Sequence, residues 1–192
     1  MLKCKFCNKE FKTTSGYERH MCEKKNRYVN FNHTAFSYYN DFLIWSHTKK
    51  NKNPEEQKMG FIKSSFYKDF VNLSDWLSEI NAFSPHLYIQ WVVKNNVSIK
   101  DWIKSRTYHS FLFEYLKLEN DDEAIFRSQQ FLDNKNETLE TIAPYDLYMA
   151  LYYGHISFKY IKKKNFDYKN KIDIVVTKEE LNQLEFFLES LL

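Results

Sequence analysis

Cys4, Cys7, His20 and Cys22 stand in the pattern Cys-x2-Cys-x12-His-x-Cys, and they include all 3 cysteines of a 192-residue chain. Two thiolates closed by a two-residue knuckle, followed by an imidazole and a third thiolate, can surround Zn²⁺ as a tetrahedron. A segment this short cannot bury a stable apolar core, so a structural Zn²⁺ would supply its folding free energy. His20 and Cys22 cannot both face the ion from one helix, because an offset of two residues turns side chains about 200° apart. The helix carrying His20 must therefore end at His20 or Met21, with Cys22 folding back from a non-helical turn. If Cys22 fails to reach, His33 is the reserve ligand.

The residues between the ligands extend the pattern. Phe11 follows Cys7 after three residues, Tyr17 follows Phe11 after five, and His20 follows Tyr17 after two. This order resembles the C2H2 zinc finger in a C2HC variant. The resemblance implies a ββα unit with Phe11 and Tyr17 as core aromatics and a helix starting near Thr13 or Thr14, both acceptable N-caps. It also assigns Thr13, Gly16 and Arg19 to the positions that contact bases. Only Arg19 has a side chain suited to a strong bidentate contact with guanine. One finger spans about three base pairs, too few for sequence-specific regulation.

Charge is distributed unevenly around this segment. Residues 1–27 hold eight basic and three acidic side chains, so the net +3 of the whole chain divides into +5 there and −2 beyond. Lys24, Lys25 and Arg27 leave the finger together and, with Arg19, could add salt-sensitive contacts to phosphates. The same charges also suit a plain solvated face, a module docked on a protein, or a staple for the chain end.

The elements beyond residue 27 read as helices. Aromatics reach 18%, with 17 Phe and 14 Tyr, while Gly and Pro number 3 each; such a chain has a core to build and few breakers. The first helix falls near 33–48, with Ala35, Tyr38, Phe42 and Trp45 on one stripe. A solvent loop follows from Lys49 to Asn53. Asn53-Pro54-Glu55-Glu56 caps the next helix, and Ser84-Pro85 starts another that ends at Asn95-Asn96. Ser98-x-x-Asp101 and Thr177-x-x-Glu180 have the form of capping boxes. Tyr108, Phe111, Leu112 and Tyr115 form a further stripe. Asp121, Asp122 and Glu123 suit a helix's positive end better than a metal. Gly154 stops a helix from Pro144, and Ser157 caps the next. Residues 172–176 read as a lone strand, and the final helix covers 178–191. We therefore expect an all-α protein: a finger with its basic exit over 1–27, and a compact domain of seven to nine helices over 28–192.

Signatures of catalysis are thin. There is no glycine-rich phosphate loop, GxSxG or HExxH. His155-Ile156-Ser157 matches half of a two-histidine phosphoesterase motif, and the helix junction explains it better. Lys159, Lys162, Lys163, Lys164, Lys169 and Lys171 alternate with Tyr160, Phe166 and Tyr168, a composition suited to single-stranded nucleic acid. The end, Leu184-Glu185-Phe186-Phe187-Leu188, resembles the acidic–aromatic peptides with which T4-type phage polymerases grip a sliding clamp. In length, finger placement and Lys/Asn/aromatic bias, the chain is similar to small proteins of unassigned activity from T4-like bacteriophages. That resemblance implies the cytoplasm of an infected bacterium. With no signal peptide or membrane span legible, we expect a soluble, non-catalytic protein that meets DNA or RNA, a protein partner, or both, with its oligomeric state open.

Overall fold

A computed structural model describes residues 1–48 and 53–191. The chain opens with two short strands, β1 (Leu2–Lys3) and β2 (Glu10–Phe11), paired antiparallel with Leu2 opposite Phe11 and Lys3 opposite Glu10. Helices α1 (Thr14–Glu18) and α2 (Glu23–Val29) follow. The ββα unit expected from the finger pattern is thus present, with Thr13 accepting a hydrogen bond from Gly16 N–H as its N-cap.

Ten further α-helices are formed among the described residues. They are α3 (His33–Trp45), α4 (Pro54–Lys63), α5 (Tyr67–Glu79), α6 (Pro85–Lys94), α7 (Ser105–Leu116), α8 (Asp121–Lys135), α9 (Pro144–Tyr152), α10 (Phe158–Lys163), α11 (Tyr168–Ile172) and α12 (Lys178–Ser190). The protein is all-α with a minute sheet, and it has more, shorter helices than the seven to nine expected. Of the Lys49–Asn53 loop, residues 49–52 lie outside the described residues.

Caps explain most of the helix starts. Asn53 accepts from Glu56 N–H at α4, and Pro54 takes the first helical position, where no N–H is needed. Thr177–Glu180 forms a full capping box at α12, and Asn120–Glu123 forms one at α8. Ser98–Asp101 does not. There the chain makes a 3-10 turn (Ile99–Asp101) without a side-chain cap, and Trp102 Nε1 donates to the Val97 carbonyl instead. The Asp side chain is one methylene shorter than the Glu that closes such a box.

Residues 172–176 are not a strand. Asp167 caps α11 by accepting from Asn170 N–H, Ile172 ends that helix fully buried, and Ile174 stands 75% exposed in the following turn. Among the described residues there is no strand there to pair with, and an unpaired strand leaves its amides unsatisfied.

The described residues group into two compact units. One takes residues 1–78 and 89–103, the other 79–88 and the chain from 104 onward. The core of the first is aromatic. Phe61 is fully buried and meets Phe31, Phe36, Tyr39 and Tyr67 at ring-centroid distances of 6.1, 5.8, 5.1 and 4.9 Å. The second buries Tyr88, Tyr108 and Phe111 against one another, and Leu147, Leu151, Ile172, Leu184 and Leu188 in a larger cluster. Leu184 and Leu188 are therefore core residues of the last helix. No described helix is long and apolar enough to cross a membrane.

Candidate metal centre

Backbone geometry brings four donors together. In the knuckle, Cys4 N–H donates to the Lys9 carbonyl and Asn8 N–H to the Cys4 carbonyl, at 2.9 and 2.8 Å. Asn8 sits at φ 62°, a left-handed conformation that Asn tolerates better than most residues. This tight turn sets Cys4 and Cys7 on the same side.

The second pair comes from the gap between two helices. Helix α1 ends with Arg19 as its C-cap, so His20 lies just beyond it. Cys22 is extended (φ −87°, ψ 163°) and is the N-cap of α2. Its carbonyl accepts the first helical bond, from Asn26 N–H at 2.9 Å, while its thiol makes no capping bond. The two-residue offset that a continuous helix forbids is thereby resolved, but not by a helix running to His20 or Met21 as expected: α1 stops at Glu18, and His20 and Cys22 both lie in the short link before α2. One ligand atom from each of Cys4, Cys7, His20 and Cys22 lies within 4.8 Å of every other. Cys7 Sγ and His20 Nε2 are 3.2 Å apart. His33 is not part of this group; it opens α3, with its ring 5.0 Å from that of Phe31.

Electrostatics also favour a cation here. Burial works against a Cys4 thiolate, yet amide groups of Cys7 and Phe6 and the neighbouring thiols hydrogen-bond its sulfur, and the net effect lowers its pKa. At Cys7, a hydrogen bond from Lys9 N–H pulls downward, but desolvation and the crowding sulfurs of Cys22 and Cys4 push the pKa up. Thiols this close cannot all ionise without a positive charge among them. Three sulfurs and an imidazole form a soft donor set that could hold a metal ion.

Packing supports the site from both sides. Phe11 lies 6.0 Å from Tyr17 and 4.7 Å from His20 between ring centroids. Phe6, inside the knuckle, is buried against Tyr28 of α2. The sequence reading missed Phe6; an apolar residue between the two cysteines was the available signal.

The candidate nucleic-acid residues fall into different settings. Arg19 is exposed, its Nε donating to the Ser15 carbonyl, and Lys24 is half-buried. Lys25 donates to the His20 carbonyl at 2.9 Å. Arg27 is largely enclosed: it donates to the Ile62 carbonyl at 3.0 Å, pairs with Glu23 at 2.5 Å, and lies 4.4 Å from the Tyr67 ring centre. Lys162, Lys163 and Lys164 are exposed at the end of α10, in the other unit. There they complement the negative helix end. Of the aromatic partners of that strip, Phe166 is half-buried and the other two are enclosed. Tyr160 and Tyr168 are core residues, Lys159 pairs with Asp121, and Lys169 pairs with Glu185. His155 and Ser157 serve the α9–α10 junction, where Ser157 caps α10 and its own N–H donates to buried Ser128.

Comparison with protein-family models, curated protein sequences and solved structures gave no match.

Proposed function

We propose that Cys4, Cys7, His20 and Cys22 hold a structural Zn²⁺, and that the module they close presents a basic face to nucleic acid backbone. The spatial convergence of these four donors is the observation that carries the reading. Zinc bonds of about 2.3 Å to sulfur and 2.0 Å to nitrogen place ligand atoms roughly 3.5–3.8 Å apart in a tetrahedron, within the observed spread. With four protein ligands the ion has no open position for substrate, so its role is to hold the fold. Three thiolates and Zn²⁺ together carry one negative charge, which the nearby lysines offset.

Lys3, Lys9, Lys12 and Arg19 are exposed on this module and are the contacts we assign to phosphates, with Lys24 beside them. Lys25 and Arg27 support the module from within. The activity is a non-catalytic, non-specific accessory role in nucleic-acid metabolism, with the helical body docking on replication or transcription machinery. The setting we propose for this role, following the resemblance in length and composition to small T4-like phage proteins, is an infected bacterium.

The test is binding of the zinc-loaded protein to DNA and RNA across a salt series, with Lys9, Lys12, Arg19 and Lys24 reversed to Glu. Affinity in the parent should fall steeply with salt. The variant should lose about tenfold or more while keeping its zinc and its circular dichroism. Equal binding by parent and variant, or none by either at low salt, overturns the reading.

A second reading is a protein adaptor or inhibitor with a purely structural finger. Exposed apolar side chains favour it. Leu118 is 87% exposed and Phe126 69% exposed, and both edge a groove with Tyr115 and Phe83. Isolated large apolar groups are ordinary on a surface, but a group of them marks contact sites. Capture of a host protein that survives nuclease and is lost in Leu118→Glu/Phe126→Glu supports this reading.

A further inference from the structure

Three thiols share one small space near the amino end, and they are not equally accessible. The ligand atoms of Cys4, Cys7, His20 and Cys22 all lie within 4.8 Å of one another, so the three sulfurs are mutual neighbours. Cys4 is buried at 2% exposure, and the knuckle ties down its backbone through the Lys9 carbonyl and the Asn8 N–H. Cys7 is exposed and Cys22 is half-buried, so an oxidant arriving from solvent meets these two first. Of the two sulfurs beside Cys7, that of Cys22 makes the stronger contact.

A disulfide holds its sulfurs about 2 Å apart. From a separation of at most 4.8 Å, Cys7 and Cys22 have less than about 3 Å to close, within the sweep of side-chain rotation. The Cys22 thiol makes no capping bond, and the residue stands extended in the link before α2. Its carbonyl, which starts α2, takes no part in such a bridge. A bridge from Cys4 to Cys7 pulls instead against both hydrogen bonds of the knuckle.

We propose that Cys7 and Cys22 form a redox modification site, which a hydroperoxide oxidises to a disulfide that takes over from the metal in holding α2 to the knuckle. The Cys7 thiolate attacks one peroxide oxygen, the O–O bond breaks, and hydroxide leaves, so that Cys7 becomes a sulfenic acid. The Cys22 thiolate then attacks the Cys7 sulfur, forms the S–S bond and expels a second hydroxide. The two sulfurs lose two electrons in total, and two protons from solvent turn the peroxide oxygens into water. Only Cys4 and His20 remain as ligands, so the ion departs; this last step rests on the zinc reading. Thiol reductants reverse the sequence and reopen the site.

The test is titration of the full, zinc-loaded protein with hydrogen peroxide. Zinc release is read with a chromogenic chelator, and free thiols are alkylated before peptide mapping of the bridges. The expected result is one zinc released per disulfide, a bridge joining Cys7 to Cys22, and Cys4 recovered as a free thiol. Circular dichroism should be retained, and reductant with added zinc should restore the starting material. Cys22→His keeps a donor nitrogen but has no resolving sulfur, so the same dose should leave a dimedone-reactive sulfenic acid at Cys7. A bridge from Cys4 to Cys7, a bridge between two chains, direct passage to sulfonic acid, or three unreacted thiols each overturns the proposal. Protein that carries no zinc yet forms the Cys7–Cys22 bridge sinks the zinc reading and leaves this one standing. Zinc lost without that bridge does the reverse.

Discussion

Cys22 does two jobs with separate atoms, its sulfur facing the other donors and its carbonyl starting α2. Cys22→Ser keeps the carbonyl but replaces the soft ligand, so metal content should drop to a small fraction while the rest of the chain stays folded. His33→Ala should leave metal content unchanged. Elemental analysis of the two purified variants checks both. A second residue-scale prediction concerns the Arg127 guanidinium. It forks onto Glu119 with contacts of 2.7 and 2.8 Å and also donates to the Gly154 carbonyl, with both side chains nearly buried. Glu119→Gln leaves a buried cation half-compensated and should cost about 3 kcal/mol in urea unfolding. The metal ligands were legible because spacing and residue type alone define them. The Glu119–Arg127 pair was not, since eight positions separate its members and no local period joins them.

Helix ends show where sequence patterns hold and where they fail. Thr177–Glu180 and Ser98–Asp101 look alike on paper, yet only the first closes reciprocal bonds. Thr177→Ala should therefore destabilise by about 1 kcal/mol, whereas Ser98→Ala should fall within a few tenths, as thermal melts of the two variants would show. Residues 172–176 misled for a related reason. Their β-branched side chains favour strands, but only a pairing partner makes a strand, and partners are a tertiary fact. Asparagine carried more than its frequency suggested. Of the seven non-glycine residues at positive φ among those described, Asn8, Asn81, Asn96, Asn136 and Asn165 are five. In a chain with 3 glycines, Asn takes over the left-handed positions, such as Asn136, the C-cap of α8. What reads as compositional bias is also turn chemistry. The helix count was underestimated in part because a helix as short as α11 has too few turns to show a period.

At the scale of the whole molecule, two imidazoles with buried Nε2 atoms contribute to the response to acid. Desolvation holds His109 and His155 down at about 4 from an ordinary 6.5. The unfolded chain thus binds protons between those values while the folded chain does not. Stability present above pH 6.5 should decline as pH falls toward 4, by on the order of 3 kcal/mol per imidazole. His109 stacks on Phe187 at 4.9 Å, so His109→Phe keeps an aromatic ring there and should flatten the slope of unfolding free energy against pH by about one proton. An unchanged slope would show that other groups govern the acid limb.

The shared role of Cys22 reaches beyond the folded state. If the ion is zinc, as proposed, a growing polypeptide that emerges from the ribosome before binding it has its amino end loose, with Phe6 and Tyr28 left bare to proteases. Loading the ion then becomes a maturation step, and the cellular amount of this protein should track zinc supply even where its messenger RNA does not.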